Sequence, residues 1–241
     1  MVSLKGKVAL ITGASRGIGK AISKALAQEG VNLAINSRAE ESLLILKNEL
    51  SIYNIDILIC PFDLRDPKAP KILIEKVVEH FGGLDILINN AGIALAKSIM
   101  DTTEEEWDEI MAVNARAPFF LSKYAIPYLK KSDIPTIINI SSVVGTKGYV
   151  NQGAYTASKH ALMGFTKVLA QEVHEDGIRV HVISPGGVAT DLVTIMRPDL
   201  DPSTLIKPEE IAEVVLFLLK HRGNAVIDEI NIRRAQNPPW R

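Results

Sequence analysis

A glycine-rich turn between an apolar run and a helical segment decides the fold of this chain. Residues 8–19 read Val-Ala-Leu-Ile-Thr-Gly-Ala-Ser-Arg-Gly-Ile-Gly. The first part is apolar on both faces, as is typical of a parallel strand between two helix layers. The glycines let the backbone turn sharply into a helix, whose unpaired N–H groups attract a pyrophosphate. The spacing is not that of a Walker loop, so the turn predicts a dinucleotide site.

The same order of strand and then helix continues along the chain. The pattern predicts strands near 7–12, 31–36, 56–62, 84–89, 135–141, 178–184 and 226–230. It predicts helices near 17–29, 40–51, 68–81, 103–131, 153–175 and 208–221. Right-handed crossovers then give an α/β fold, a doubly wound Rossmann-like parallel sheet with helices on both faces. No linker-like composition divides the sequence, so we expect one domain over 1–241.

Two segments interrupt this alternation. Within 185–207 the sequence is only weakly periodic, and we expect 188–207 to be a substrate loop because long loops in compact domains tend to be functional. The apolar side chains of that loop suit a pocket wall: Leu192, Val193, Ile195 and Met196. Arg197 either meets an anionic substrate or stays in solvent. The tail, with Pro238-Pro239-Trp240, either frays or docks onto another surface.

The composition excludes several classes of protein. The 27 basic and 28 acidic residues nearly cancel, which argues against a nucleic-acid or membrane-surface partner. A single cysteine, Cys60, excludes a disulfide framework and favours a cytoplasmic location. The five histidines lack the spacing of a zinc site, and Thr103 to Glu106 is typical of a helix capping box, so we expect no metal.

The residues after the second predicted strand favour NADP(H) over NAD(H). An NAD site places a carboxylate there for the ribose hydroxyls, whereas this chain has Ser37-Arg38 and no carboxylate before Glu40. A guanidinium can hold a 2′-phosphate with two hydrogen bonds. Arg16, within the glycine turn, is expected to supply a second cation.

Three further residues form a candidate catalytic set. Tyr155 and Lys159 are four residues apart on a predicted helix and therefore share a face. A nearby ammonium favours the phenolate, so we expect Lys159 to lower the pKa of Tyr155 towards the working range. Ser142, at the end of the preceding strand, lies at the sheet edge where open α/β sheets bind ligands.

With these motifs the sequence resembles the short-chain dehydrogenase/reductase family over nearly its whole length. The matching segments are the glycine turn at Thr12 to Gly19, Asp63-Leu64, Asn89-Asn90-Ala91-Gly92, Asn114, the set of Ser142, Tyr155 and Lys159, and Pro185 to Thr190. The resemblance places cofactor contacts at Gly13, Ser15, Arg16, Gly17, Ile18, Gly19, Ser37, Arg38, Asp63, Leu64, Asn90, Ala91, Gly92, Tyr155, Lys159, Pro185, Gly186, Val188 and Thr190.

The resemblance also implies roles for the catalytic set. Tyr155 would exchange a proton with the carbonyl or alcohol oxygen, and Ser142 would hold that oxygen. Lys159 would bind the nicotinamide ribose, and Asn114, at a helix distortion, would hold a water that passes protons onward. Relatives are commonly homotetramers, so a homo-oligomer (tetramer or dimer) is expected. The family's Asp-Gly-Gly after the last strand is replaced here by the sequence Asp228 to Arg234. The resemblance therefore gives no expectation for the C-terminal edge, which is part of the family's usual subunit interface.

Three functions remain open from the sequence. The first is an NADP(H)-dependent ketone reductase or secondary-alcohol dehydrogenase. The second is a reductase of 3-oxoacyl thioesters on acyl carrier protein. The third, from a different class, is a non-catalytic NADP(H) sensor, against which the complete set of Ser142, Tyr155 and Lys159 argues.

Overall fold

Seven parallel strands form one twisted sheet in the computed structural model, which describes residues 2–239. The strands are β1 (Val8–Thr12), β2 (Asn32–Ser37), β3 (Ile57–Pro61), β4 (Ile86–Asn89), β5 (Thr136–Ile140), β6 (Arg179–Pro185) and β7 (Glu229–Ile232). Their spatial order is β3-β2-β1-β4-β5-β6-β7. The order reverses between β1 and β4, which is where a doubly wound sheet forms its ligand crevice. The predicted fold is confirmed.

Helices cover both faces of this sheet. They are α1 (Gly17–Gln28), α2 (Glu40–Leu50), α3 (Ala69–Phe81), α4 (Glu104–Met111), α5 (Ala117–Leu129), α6 (Gly153–Glu172), α7 (Asp191–Met196) and α8 (Pro208–Lys220). Alternate strand residues point to opposite layers: Ala9 and Ile11 pack with α1, α2 and α8, whereas Val8 and Leu10 pack with α3, α5 and α6. Burial on both faces explains why β1 is a continuous apolar run.

The helical stretch predicted over 103–131 is confirmed from Glu104 to Leu129, but a π-helical turn at Ala112–Arg116 divides it into α4 and α5. Pro118 has no backbone N–H to donate to the Asn114 carbonyl four residues earlier, so the regular α-helical pattern cannot continue there. Single π turns of this kind inside helices are frequent at functional sites. The prediction that Asn114 lies at a helix distortion is confirmed.

The segment 188–207 is more ordered than a plain loop. It contains α7 and a short 3₁₀ turn at Pro202–Thr204, and Val188 pairs with Ile206 where the segment leaves and rejoins the fold. We call residues 188–207 the lid. β7 begins three residues later than predicted, and the tail continues past it to Pro239. Of the predicted tail motif, Trp240 lies outside the described residues.

Three smaller observations complete the fold. Thr103 caps α4 as predicted: its hydroxyl accepts from the Glu106 N–H at 3.2 Å, and the Glu106 carboxylate accepts from the Thr103 N–H at 2.9 Å. Between residues 2 and 239 no cluster of metal-ligating side chains is found. In the same residues no helix combines the length and the apolar character that a membrane crossing needs.

Candidate active site

The glycine turn forms a cradle that only glycines fit. Gly13 has φ +63°, and a Cβ on it would lie 2.9 Å from the Ala91 Cα. A Cβ on Gly19 would lie 2.2 Å from the Gly13 carbonyl oxygen, a distance at which the two atoms would clash. The backbone of the glycine turn therefore packs directly against the loop after β4, with no space for a side chain between them. The N-terminus of α1 stays open to the cleft. This geometry fits a pyrophosphate, as the sequence predicts.

Thr12 and Asn90 join the two loops on either side of this cradle. The Thr12 hydroxyl accepts from the Asn90 and Ala91 N–H groups, both at 3.0 Å. The Asn90 amide donates to the carbonyls of Thr12 and Gly13 at 2.9 and 3.1 Å. Asn90 thus holds the loop after β4 against the glycine turn, a structural role in addition to its predicted contact with the cofactor.

The predicted cofactor contacts converge on one cleft of about 730 Å³ at the carboxyl ends of the strands. All of them line it except Gly19, which lies beneath Gly13. Asn114 does not line it either and lies behind the cleft wall. Ser142, Tyr155 and Lys159 line the same cleft. The structure therefore brings together the predicted catalytic and cofactor residues.

Arginines dominate the end of the cleft beside β2. Arg38 is exposed there, and no carboxylate between residues 2 and 239 forms an ion pair with it. Arg16 is instead paired with Asp191 of α7 at 2.7 Å, so the structure places its guanidinium against the lid. Asp63 is held by Arg65 through several hydrogen bonds, and these hold the pKa of that carboxyl below its usual range. Of the arginines at this end of the cleft, Arg38 is thus the one that no carboxylate between residues 2 and 239 holds in an ion pair.

The catalytic set meets where β5 ends and α6 begins. Ser142 lies two residues beyond the end of β5 rather than within it, and it begins the short turn at Val143–Gly145. Tyr155 and Lys159 lie on the first two turns of α6, both buried. The Lys159 Nζ donates to the Ile140 carbonyl at 2.9 Å and lies 5.9 Å from the centre of the Tyr155 ring.

The expected lowering of the Tyr155 pKa by Lys159 is wrong for this arrangement. Burial disfavours the phenolate and raises the pKa of Tyr155 to about 12, although the Ser142 hydroxyl acts in the opposite direction. Burial also lowers the pKa of Lys159 to about 8, because it disfavours the ammonium form. At neutral pH Tyr155 is therefore a protonated phenol, and Lys159 is a charged ammonium near its titration point.

Asn114 supports this set from behind. Its side-chain amide donates to the Ile93 carbonyl at 2.9 Å and to the Ser158 hydroxyl at 3.1 Å. Its side-chain oxygen accepts from the Ile93 N–H at 2.9 Å. Both N–H groups of the amide and its oxygen therefore hold the loop after β4 against α6.

The lid closes the other side of the cleft. The predicted wall residues Leu192, Val193, Ile195 and Met196 all line it, and so does Arg197. Arg197 is held by Asp199 through two hydrogen bonds of 2.8 and 2.7 Å. Sequence reasoning missed several polar cleft residues, among them Arg65, Tyr149, Gln152, Arg234 and Asn237. The only sequence signal for the last two is the unusual ending after Asp228.

Burial of Lys159 predicts a stability cost that depends on pH. Below pH about 8 both the folded and unfolded states bind the proton, and the cost of burying the ammonium is complete. Between pH about 8 and 10.5, the ordinary pKa of lysine, only the unfolded state keeps the proton, so the wild type gains stability as pH rises. Lys159→Met removes this cost but also loses the hydrogen bond to the Ile140 carbonyl. The net effect should be a free energy of unfolding higher by about 2 kcal/mol at neutral pH.

Urea unfolding measures this difference. At about pH 9.5 the variant should be hardly more stable than the wild type. By that pH the buried Lys159 of the wild type is mostly neutral, so most of the cost of burying its charge is gone. Lys47→Met, on the exposed surface of α2, is the control and should show no such pH dependence. A Lys159→Met effect that stays constant from neutral pH to about pH 9.5 would refute the burial argument.

Comparison with known proteins agrees with the site. The family described as "short chain dehydrogenase" matches residues 7–201. The 3-oxoacyl-[acyl-carrier-protein] reductase FabG of Vibrio cholerae is 36% identical over 225 residues, 90% of this chain and 91% of that protein. The reductase of the same name from Escherichia coli is 36% identical over 236 residues, 95% of this chain and 96% of that protein.

Solved structures give the same result. A metagenomic short-chain oxidoreductase in complex with NADP has a TM-score of 0.85 at 31% identity and covers 97% of this chain and 100% of its own. An alcohol dehydrogenase from Thermococcus sibiricus complexed with 5-hydroxy-NADP has a TM-score of 0.89 at 30% identity, covering 97% of this chain and 98% of its own. With the glycine cradle and the Ser142, Tyr155 and Lys159 set in one cleft, the chain belongs to the short-chain dehydrogenase/reductase family of oxidoreductases.

Proposed function

We propose that the protein is an NADP(H)-dependent oxidoreductase that interconverts a ketone and a secondary alcohol. The observation that carries the proposal is the single cleft that joins the glycine cradle, Arg38 and the buried pair of Tyr155 and Lys159. The NADP and 5-hydroxy-NADP complexes of the structural relatives support this choice of cofactor.

NADP(H) fits the residues that line the cleft. The open N-terminus of α1 would receive the pyrophosphate, and Arg38 the 2′-phosphate. Asp63 and Leu64 would contact the adenine, and Lys159 the nicotinamide ribose. The segment from Pro185 to Thr190 would cover the nicotinamide side. When bound, this cofactor supplies or accepts the hydride, and the protein supplies position and electrostatics.

Tyr155 would act as the acid in the reduction direction. Its pKa of about 12 keeps the phenol protonated at neutral pH, so the hydroxyl can donate to the carbonyl oxygen as that oxygen gains negative charge. Ser142 would hold the same oxygen by a hydrogen bond. The proton lost by Tyr155 would be replaced through the Lys159 ammonium and a water on the Asn114 carbonyl. In the oxidation direction the same groups would carry the proton outwards.

A second candidate is reduction of 3-oxoacyl thioesters carried on acyl carrier protein. The names of the relatives from Vibrio cholerae and Escherichia coli favour it, at 36% identity over most of each chain. The apolar lid wall would suit an acyl chain, and the chemistry at Ser142 and Tyr155 would be the same. The two candidates differ in substrate and not in mechanism.

A panel of substrates tests these proposals. NADPH oxidation would be followed with simple ketones, aldehydes, a diketone, a sugar ketone and a 3-oxoacyl thioester. We expect turnover with at least one of them, and the thioester's kcat/KM relative to the ketones distinguishes the two candidates. NADPH binding without turnover of any substrate would favour a non-catalytic sensor and count against both.

The proposal extends to the state of the whole protein. Residues 1–241 would act as one domain, since the cofactor and substrate sides belong to one sheet. We propose a homo-oligomer, dimer or tetramer, because Trp107 and Phe119 expose large apolar surface on neighbouring helices α4 and α5. A cytoplasmic location is included in the proposal, and the single buried thiol, Cys60, with a pKa raised to about 11 by burial, is compatible with it.

A further inference from the structure

The segment after β7 reaches into the active-site cleft. Ile232, the last residue of β7, pairs with Pro185, and its carbonyl accepts from the Gly186 N–H at 2.7 Å. The chain that follows therefore passes beside the predicted nicotinamide-side loop. Two of its residues, Arg234 and Asn237, line the same cleft as Tyr155 and the lid.

Arg234 lies too far from Arg38 to serve the same phosphate. Arg38 follows β2 and Arg234 follows β7, and these strands are five places apart in the sheet order. At ~4.8 Å for each strand the two positions are separated by about 24 Å. Ser142 follows β5, only two places from β7. Arg234 therefore belongs to the catalytic and substrate side of the cleft.

The charges on this side do not balance. Arg197 is paired with Asp199 at 2.7 Å. Arg234 instead donates to two neutral acceptors, the Thr204 hydroxyl at 3.0 Å and the Asn237 side-chain oxygen at 2.9 Å. Arg234 is near enough to Asp199 to help Arg197 lower the pKa of that carboxyl. Both oxygens of Asp199, however, already accept hydrogen bonds from Arg197. Apart from the buried Lys159, Arg234 is thus the one cation on this side of the cleft, within residues 2–239, that no carboxylate holds in an ion pair.

The tail holds Arg234 in a fixed position. The neighbouring Arg233 donates from Nη1 to the carbonyls of Arg234, Ala235 and Asn237, at 3.2, 3.1 and 2.7 Å. The Asn237 N–H donates back to the Arg234 carbonyl at 3.0 Å. These bonds close the tail into a tight turn, and Thr204 of the lid anchors the guanidinium itself. A guanidinium fixed in this way is suited to bind a carboxylate or phosphate with two parallel hydrogen bonds.

We propose that Arg234 is a specificity-determining residue that binds an anionic group, a carboxylate or a phosphate, on the carbonyl substrate. This inference rests on the proposed oxidoreductase function and deepens it by naming a substrate class. The sequence had suggested Arg197 for such a contact, but Asp199 already neutralises Arg197. An anion could come from two sources: a carboxylate of the substrate itself, or the phosphate of a phosphopantetheine arm that carries a 3-oxoacyl thioester.

Matched pairs of substrates test the proposal and separate the two sources. One pair is an oxo acid and its methyl ester; the other is a 3-oxoacyl group on phosphopantetheine and on neutral N-acetylcysteamine. We expect the wild type to favour the anionic member of one pair by about 10-fold to 100-fold in kcat/KM, as hydrogen bonds to charged groups allow. Preference within the first pair identifies a carboxylate, and preference within the second identifies a phosphate.

Variants at Arg234 connect the preference to this residue. Arg234→Gln should reduce the ratio of kcat/KM for the anionic and neutral members by about 10-fold to 100-fold, mainly through KM. Arg234→Lys should restore part of it. Lys147→Gln is the matched control, because it removes one positive charge from an exposed loop near Tyr149 but outside the cleft. The control should leave the ratio unchanged.

The outcomes separate this inference from the proposed function. If the wild type reduces the neutral substrates but shows no anionic preference, the role of Arg234 is wrong and the oxidoreductase function stands. An equal loss in Lys147→Gln and Arg234→Gln would also overturn it, because only the overall charge would then matter. If Arg234→Gln does not fold, the wild type still tests the idea: its anionic preference should weaken as salt rises. A preference independent of salt would refute it, and no reduction of any substrate would refute the proposed function.

Discussion

Replacing Tyr155 by Phe should reduce carbonyl reduction by about 10²-fold to 10⁴-fold, the usual contribution of a positioned general acid. The change removes only the hydroxyl oxygen, so the packing of the buried ring within the Val144 and Met196 cluster is kept. What is lost is the proton that the phenol, with a pKa of about 12, can donate at neutral pH. NADPH should still bind, within about 3-fold of the wild-type affinity, since the ring and all the other predicted cofactor contacts are kept.

The measurement combines steady-state NADPH oxidation with a fluorescence titration of NADPH. Tyr128→Phe is the control: it removes the same hydroxyl from α5, away from the cleft, and should behave as the wild type. Near-normal turnover in Tyr155→Phe would contradict the assignment of the proton donor. Parallel loss of NADPH binding would indicate a folding or positioning effect in place of the loss of an acid.

Replacing Arg38 by Gln should weaken NADPH binding by about 10-fold to 100-fold and leave NADH binding nearly unchanged. Arg38 is exposed at the end of β2 and, within residues 2–239, has no carboxylate partner, so its guanidinium can bind a phosphate with two charge-assisted hydrogen bonds. NADH lacks the 2′-phosphate and therefore gains nothing from this cation. Arg16 cannot replace Arg38 without first leaving Asp191, at 2.7 Å.

Parallel titrations with NADPH and NADH give the ratio of the two dissociation constants. Lys47→Gln removes one charge from the exposed side of α2 and should leave the ratio as in the wild type. Comparable affinity of the wild type for the two cofactors, or a preference for NADH, would remove the basis of the NADP(H) assignment. An equal decrease in the affinities for NADPH and NADH in Arg38→Gln would show that Arg38 supports the site without binding the 2′-phosphate.

The sequence predicted features that depend on local spacing. The glycine turn at 13–19 and the four-residue spacing of Tyr155 and Lys159 each follow from one element, and the structure places them in one cleft. The resemblance implied a helix distortion at Asn114, but the prediction of one helical stretch over 103–131 did not include the division into α4 and α5. A helical period continues across 112–116, so hydrophobic spacing alone cannot show the break that Pro118 causes.

Features that depend on contacts between distant segments were not predictable. Arg16 lines the cleft as the sequence predicts, but its ion pair with Asp191, 175 residues away, could not be foreseen. Tyr155 was expected to have a lowered pKa, because the sequence shows that Lys159 is near and does not show that both groups are buried. Arg234 lies 30 residues from its anchor Thr204, and neither residue stands in a recognisable motif. Burial and long-range pairing, which set charge and pKa, are visible only in the folded chain.

The central claim is that this cleft transfers a hydride between NADP(H) and a carbonyl carbon with Tyr155 as the acid. The most direct test is reduction of an accepted substrate with NADPH that carries deuterium on the transferring face of the nicotinamide, followed by mass spectrometry of the product. We predict an alcohol with one deuterium on the carbinol carbon from the wild type and almost none from Tyr155→Phe. Deuterated NADPH that binds tightly but yields no deuterated alcohol from any carbonyl compound would contradict the account.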